Sequence, residues 1–305
     1  MMLKYLKSRW FENQDTCSAL AKIKQISEDG GTLKKEYSPF GVIDNNLADF
    51  RGLDLSKQQI KKLKIENADL SYSNFQSSWI EKSVFSNVKI EKVDLSEISD
   101  RGNLFKEAFI MSCNFNKAVL GYGGSQYLDC IIDSSSFVRT GFIRGEYNSC
   151  HFINCKLKGA DFSASSFENC SFDGKLTDVW FRGGYGYPND ENEFGKAKKN
   201  QMKNVSFEKA ILEGVNFSNE CDLSSIKLPK TGNYQLFYNW AGKLERLKTI
   251  ISDWPASQKN EAEIFVNSYL VHAKTQDWFL INIEEIQRDF GVDVAGNIII
   301  ALNEK

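Results

Sequence analysis

The sequence predicts a mainly β solenoid, opened by short helices and closed by a helical domain. Three observations carry that expectation. Large apolar residues recur at every fifth position through the middle of the chain. The residue two before each is small throughout the second run and small or Val at seven of ten in the first, where Leu53, Gln58 and Leu63 are the exceptions. Beyond Pro229 the apolar spacing changes from five to the three and four of a helix.

The chain has 305 residues, 42% hydrophobic and 26% charged, enough to bury a core without disulfides or metals. Residues 2–27 read as one or two short helices, with Leu3, Leu6, Trp10, Phe11, Leu20, Ile23 and Ile26 spaced three to four apart. Gly30 is their C-cap. Residues 32–45 read as an extended entry, so that 1–45 forms an N-terminal segment and cap. No run of 18 apolar residues is present, which excludes a membrane span. The lysine-rich N-terminus has no apolar segment behind it and does not read as a secretory signal.

Counting by fives from Phe50 gives Leu55, Ile60, Ile65, Leu70, Phe75, Ile80, Phe85, Ile90 and Leu95, all apolar. Asp100 breaks the run; Phe105, Ile110, Phe115 and Leu120 resume it. After a slip of two residues a second run passes through Tyr127, Ile132, Phe137, Phe142, Tyr147, Phe152, Leu157, Phe162, Phe167 and Phe172. Ten matches in one chosen phase have odds on the order of 10⁻⁴ at this composition. Phe207, Leu212 and Phe217 continue the pattern, then Leu223 and Leu228. In the second run every residue two positions earlier is small. Two inward positions per five describe a chain that turns a corner every five residues around a narrow core.

Asn67-Ala68-Asp69-Leu70-Ser71, Gly159-Ala160-Asp161-Phe162-Ser163, Leu47-Ala48-Asp49-Phe50-Arg51 and Glu220-Cys221-Asp222-Leu223-Ser224 carry a resemblance to the pentapeptide-repeat family, whose motif is Ala-Asp/Asn-Leu/Phe-x-x. The resemblance covers roughly 46–228. It implies a right-handed quadrilateral β-helix over 46–229, four pentads per coil, about seven coils and a rod about 34 Å long. Phe50, Leu70, Phe75, Phe137, Phe152, Phe162, Phe172 and Phe217 are its expected axial core. Coils stack on their neighbours, so both ends need caps.

Six of the seven cysteines (Cys113, Cys130, Cys150, Cys155, Cys170 and Cys221) fall on the small inward position, where Cys acts as a small hydrophobe. No Cys-x-x-Cys pair occurs, so zinc and dithiol chemistry lack support. Unpaired thiols in this number point to a reducing compartment, the cytoplasm.

Past Pro229, residues 230–305 read as a helical domain. The stripe Leu236, Phe237, Trp240, Leu244, Leu247, Ile251 and Trp254 predicts a helix over 233–254; others are expected over 258–273 and 276–290, then a hairpin over 292–302. The stripe reads first as core, and a homodimer through these helices is the alternative left open.

Two interruptions break the repeat. Gly121-Tyr122-Gly123-Gly124-Ser125-Gln126 marks the phase slip, with Tyr122, Gly123 and Gly124 as candidate partner contacts. A projecting loop at about 177–203 offers Trp180, Arg182, Tyr185, Tyr187, Asp190, Glu191 and Glu193. Loops of this length on a rigid scaffold are natural partner sites.

No phosphate-binding loop or nucleophile elbow is present. His151 reads as an outward side chain, His272 as helix packing, and Asp69, Asp94 and Asp161 as turn acceptors. Neither catalytic residues nor metal ligands nor a cofactor are expected. The function expected is a non-enzymatic protein-binding scaffold or adaptor, using the rod faces and the loop. The family resemblance implies an alternative: imitation of DNA, binding DNA gyrase or topoisomerase IV and protecting them from poisons such as quinolones. The rod's net charge of −1 over 46–228, 24 acidic against 23 basic residues, argues against it. Direct nucleic-acid and membrane partners are not expected.

Overall fold

The computed structural model describes residues 2–304. Its centre is a parallel β-solenoid in which each strand pairs with one a coil later. Gln59 lies beside Trp79, Trp79 beside Ser99, Ile131 beside His151 and His151 beside Ser171. Twenty residues therefore make a coil, four pentads of five. One face is a series of eight strands running from Gln59–Lys61 to Asn216–Ser218. Seven intervals at about 4.8 Å give about 34 Å.

Naming faces by their axial residues, the first passes through Leu55, Phe75, Leu95, Phe115, Phe137 and Leu157; its bridges are Asp54↔Asn74↔Asp94↔Asn114↔Ser136↔Lys156. The second carries Ile60, Ile80, Asp100, Leu120, Phe142, Phe162, Phe181 and Phe217. The third contains Phe85, Phe105, Tyr127, Tyr147 and Phe167, and the fourth Ile90, Ile110, Ile132, Phe152 and Phe172. Phe50, Leu70, Phe75, Phe137, Phe152, Phe162, Phe172 and Phe217 are all buried on the axis. Their rings stack coil on coil: Phe152 on Phe172 at 4.8 Å, Phe162 on Phe181 at 5.2 Å, Phe181 on Phe217 at 5.3 Å.

Each corner has a physical signature. The residue two after the axial one turns left-handed, as at Lys62 (φ 49°), Asn87 (48°) and Asn169 (53°). Asn and Gly adopt that conformation at least cost, and coil-to-coil hydrogen bonds hold the others there. Asx turns recur beside it, with the Asp69 side chain accepting from Ser71 N at 2.7 Å and Asp94 from Ser96 N at 3.0 Å. Asp161 departs from its expected turn role: Arg182 Nε donates to it at 2.8 Å, one coil up.

At the first coil, α1 (Met2–Ser8) and α2 (Gln14–Asp29) cover the open edge. The Asn13 side chain caps α2 by accepting from Thr16 N, and Gly30 ends it at φ 85°. Buried Arg9 donates twice to Asp49, at 2.9 and 2.7 Å, and Trp10 Nε1 donates to Arg51 O at 3.0 Å.

The last coil is covered by a domain with its own core around Trp240, Leu244, Phe265, Ile286 and Ile298. Here three expectations are corrected. The stretch 233–254 begins as a strand, Tyr234–Phe237, before α4 (Trp240–Ile250). After α5 (Ala256–Ala273), the stretch 276–290 holds the strand Phe279–Asn282, antiparallel to Tyr234–Phe237, and only then α6 (Ile283–Phe290). Pairing across the chain overrides local helical spacing. The hairpin over 292–302 is instead the helix α7 (Val292–Asn303). Ala295, Ile298 and Leu302 bury one side, and Gly296 is tolerated inside the helix at about 1 kcal/mol. Side chains stitch this domain to the rod: Gln276 bonds Cys221 N and O, Glu285 accepts from Gly214 N at 2.8 Å, and Tyr234 and Asn282 bond the Leu212 backbone. Among the described residues, no helix is long and apolar enough to cross a membrane.

Candidate functional site

The second face carries both interruptions. The first is a bulge. Leu120 stays on the axis, but the strand Val119–Tyr122 pairs irregularly with Ser99–Arg101 and the chain runs on through Gly123 and Gly124 before Tyr127 resumes the register. Gly121, at φ 86°, is required there: a Cβ would lie 2.7 Å from Gly145 N.

Asp100, the break in the apolar run, lies directly behind this bulge and is fully buried. Its carboxylate accepts from Gly121 N at 3.0 Å, Ser125 Oγ at 2.8 Å, Tyr127 Oη at 2.6 Å and Asn103 Nδ2. Burial pushes its carboxyl above the ordinary range, against the pull of these donors. In the sequence Asp100 is only a break in the apolar period. The signal was its position about one coil before the glycine slip, which puts two irregularities at the same place in the cross-section.

The second interruption is shorter than expected. Trp180–Arg182 is still a coil strand, pairing with Asp161 and Phe162 below and Asn216–Ser218 above. Trp180 and Arg182 are therefore coil residues; the Arg182 guanidinium lies 4.4 Å over the Trp180 ring. The chain leaves the rod at Gly183 and returns near Met202. Glu168 pairs with Lys203, 35 residues on, where 20 make a coil elsewhere. The insertion contains one short helix, α3 (Asp190–Phe194), then an extended lysine-rich return.

The insertion folds back onto the bulge. Arg144 Nη1 donates to Phe194 O at 2.6 Å, and the Tyr122 ring meets Phe194 edge-on at 5.4 Å. The Arg101 guanidinium lies 4.8 Å over Tyr122. Gly123 and Gly124 pack against the side chains of Arg101 and Arg144. Tyr185 Oη donates to Gly195 O at 2.6 Å, and Asn219 Nδ2 donates to Tyr185 O at 2.8 Å. Tyr185 is thus a strut, whereas Tyr187 projects with 76% of its surface exposed. Tyr187 N donates to the Asp190 carboxylate; Glu191 and Glu193 are exposed and form no ion pair among the described residues. Two candidate groups separated by some sixty residues form a single platform.

The histidines lie outside it. His151 is exposed on the fourth face, 2.9 Å from Ser171 Oγ. His272 is exposed on α5, not packed within a helix bundle, and approaches the Trp180 ring at 6.3 Å. Cys113, Cys130, Cys150, Cys155, Cys170 and Cys221 are buried and Cys17 is exposed. Burial pushes the Cys113 and Cys221 thiols up to about 12. Among the described residues, no cluster of His, Cys, Asp or Glu is placed to hold a metal ion.

The family described as pentapeptide repeats matches residues 148–174, with 8 copies. No curated protein matches the sequence. Among solved structures the chain is similar to full-length QnrB1, a plasmid-mediated fluoroquinolone resistance protein, at 13% identity and a TM-score of 0.34, over 56% of this chain and 92% of that one. It is similar to HetL, a pentapeptide repeat protein involved in heterocyst differentiation regulation from Nostoc sp. strain PCC 7120, at 14% and 0.31, over 59% and 88%. It is similar to Rfr23 from Cyanothece 51142 at 14% and 0.19, over 36% and 64%. Similarity at these levels carries nothing about role. Residues 148–174 match the family's repeat, and the same five-residue, four-sided coil runs along the rod.

Proposed function

We propose that this chain is a non-enzymatic scaffold that binds a protein partner through the platform on its second face. The observation that carries this reading is the docking of the insertion on the bulge, which fixes Tyr187, Glu191 and Glu193 outward on a rigid support. An exposed Tyr on a pre-ordered loop supplies contact area with few torsions to freeze, the usual anchor of an interface. Solenoids present such sites along a face without chemistry of their own. The test is affinity capture from the source extract, comparing the wild type with Tyr187→Ala/Glu191→Lys. A partner retained by the first and lost by the second is expected; identical capture by both refutes the platform.

The DNA-imitation reading needs a continuous acidic face, because phosphate charge dominates what DNA-handling enzymes recognise. The second face instead carries Lys61, Lys62, Lys82, Arg101, Arg144 and Arg182 against Glu81 and Asp161. On the third face, Glu107 and Glu168 are countered by Lys106 at 3.4 Å and Lys203 at 2.7 Å. This distribution favours the scaffold. A gyrase supercoiling titration, with and without quinolone, is expected to show no protection; protection near equal stoichiometry would reverse the order of the two readings.

A further inference from the structure

We propose that the first face, over the coils from Phe115 to Leu176, binds an acidic extended peptide with an aliphatic anchor. The site is separate from the insertion platform and does not depend on it. Outward positions here hold Lys117, Arg139, Lys156, Lys158 and Lys175, and the outward positions of this face between Glu97 and Asp178 carry no acidic residue. Lys117 pairs with Glu97 at 3.4 Å and Lys175 with Glu213 at 2.8 Å, at the two ends of the patch. Arg139, Lys156 and Lys158, in its middle, form no ion pair among the described residues. Their summed field is uncompensated by neighbours on this face.

A groove of about 490 Å³ crosses this patch, between Lys156, Lys158 and Lys175 and over Val138. It lies where the coil is one residue short: Leu176 follows Leu157 by 19 positions, and Ser171–Thr177 runs across the corner as one strand. Val138, 44% exposed, offers the groove an apolar floor. Lys156, at a bridge position, and Lys158, in the turn that follows, flank axial Leu157, so both side chains face outward; two residues of extended chain span about 6.6 Å. That is the spacing of same-side carboxylates in an extended peptide laid along this face. No aromatic side chain projects from this face, so the stacking surface that holds single-stranded nucleic acid is missing. Charge, spacing and an apolar floor together select an acidic peptide.

The test is fluorescence anisotropy with a fluorescein-labelled peptide of sequence ELEDLE, its neutral counterpart QLQNLQ and a twelve-nucleotide oligothymidylate, at about 50 mM salt. The acidic peptide is expected to bind at least about tenfold more tightly than either other probe. Lys156→Glu/Lys158→Glu should lower its affinity about tenfold or more, and Lys156→Gln/Lys158→Gln should lower it by less. Both side chains are exposed, so folding is checked by circular dichroism and the milder pair stands in if the charge reversal perturbs it. Lys61→Glu/Lys62→Glu, on the second face, and Arg144→Ala, in the platform, should leave binding unchanged. Equal affinity for QLQNLQ, tighter binding of the oligothymidylate, or an equal loss in the second-face variant would overturn the proposal.

Discussion

Phe162→Ala probes the register of the whole rod. Phe162 is fully buried; its ring lies tilted at 34° against Phe142 at 4.2 Å and stacks on Phe181 at 5.2 Å, and Phe167 and Phe172 meet it edge-on at 5.3 and 6.3 Å. Removing a buried Phe costs about 3–5 kcal/mol, the spread reflecting how far the site collapses. Collapse is restricted here. The strand Asp161–Ser163 is hydrogen-bonded into Gly141–Ile143 below and Trp180–Arg182 above, which fixes the coil spacing whatever fills the axis. The expected loss therefore lies in the upper half of that range, about 4–5 kcal/mol, against a total of about 5–15 for a typical protein. Urea unfolding, followed by far-ultraviolet circular dichroism and tryptophan fluorescence, measures it. A fall in slope would report separation of the coils on either side, since stability in a stack is a sum of neighbour terms. Phe162→Leu, which keeps most of the volume, is expected to cost clearly less. Exposed Val138→Ala is expected to lie within about 0.5 kcal/mol of the wild type. A Phe162→Ala variant within about 1 kcal/mol of wild type would refute the axial packing.

Three further outcomes follow from buried or bridging charges. Burial raises the Asp49 carboxyl, but the bonds from Arg51 and Arg9 outweigh it and hold the group far below the ordinary carboxylate range. Its contribution is therefore present above about pH 3.9 and lost as pH falls further; Asp49→Asn should cost about 3–5 kcal/mol at neutral pH, a gap that closes in acid denaturation below about pH 4. Asp100 has the opposite sign, because burial raises it: Asp100→Asn, which upsets four donors, should cost about 1–3 kcal/mol, with the deficit largest in acid and shrinking as pH rises above about 3.9, measured as unfolding free energy across that window. Arg144→Ala removes a charged hydrogen bond worth about 1.5–3 kcal/mol, so trypsin cleavage at Lys196, Lys198 and Lys199 should accelerate roughly ten- to hundredfold, and an unchanged rate would show that the insertion is held by other contacts.

The rod was legible because its rule is local and repeated. One large apolar residue per five, with a small one two before it, determines which side chains face the axis, as Phe152 over Phe172 illustrates. The left-handed corner was not legible. Its occupants include Lys62, Tyr72 and Glu97, residues with no preference for positive φ, held there by coil-to-coil hydrogen bonds such as Lys62 N to Glu81 O at 2.8 Å. The C-terminal domain was least legible. Phe279–Asn282 is a strand because Tyr234–Phe237 lies beside it, more than forty residues earlier in the chain, and no periodicity within 276–290 reports that neighbour.

The platform was legible in parts but not as a whole. Both interruptions announced themselves by breaking the period, yet nothing in either segment pointed to the other. What joins them is the coil: positions separated by multiples of about twenty residues stack on one face, so Arg101, Tyr122 and Arg144 form a column without any local motif. The insertion leaves that column at Gly183 and docks back on it through Arg144 and Tyr122. Inside the same cross-section, Asp100 gives up axial packing to hold Gly121, Ser125 and Tyr127. A buried carboxylate is costly in an apolar stack unless it is fully hydrogen-bonded. Its place behind the bulge that seats the insertion is where the sequence departs furthest from the repeat, on the core side and on the solvent side at once. A stretch that gives up regular packing on both sides is better explained by what it presents outward than by the stability of the rod.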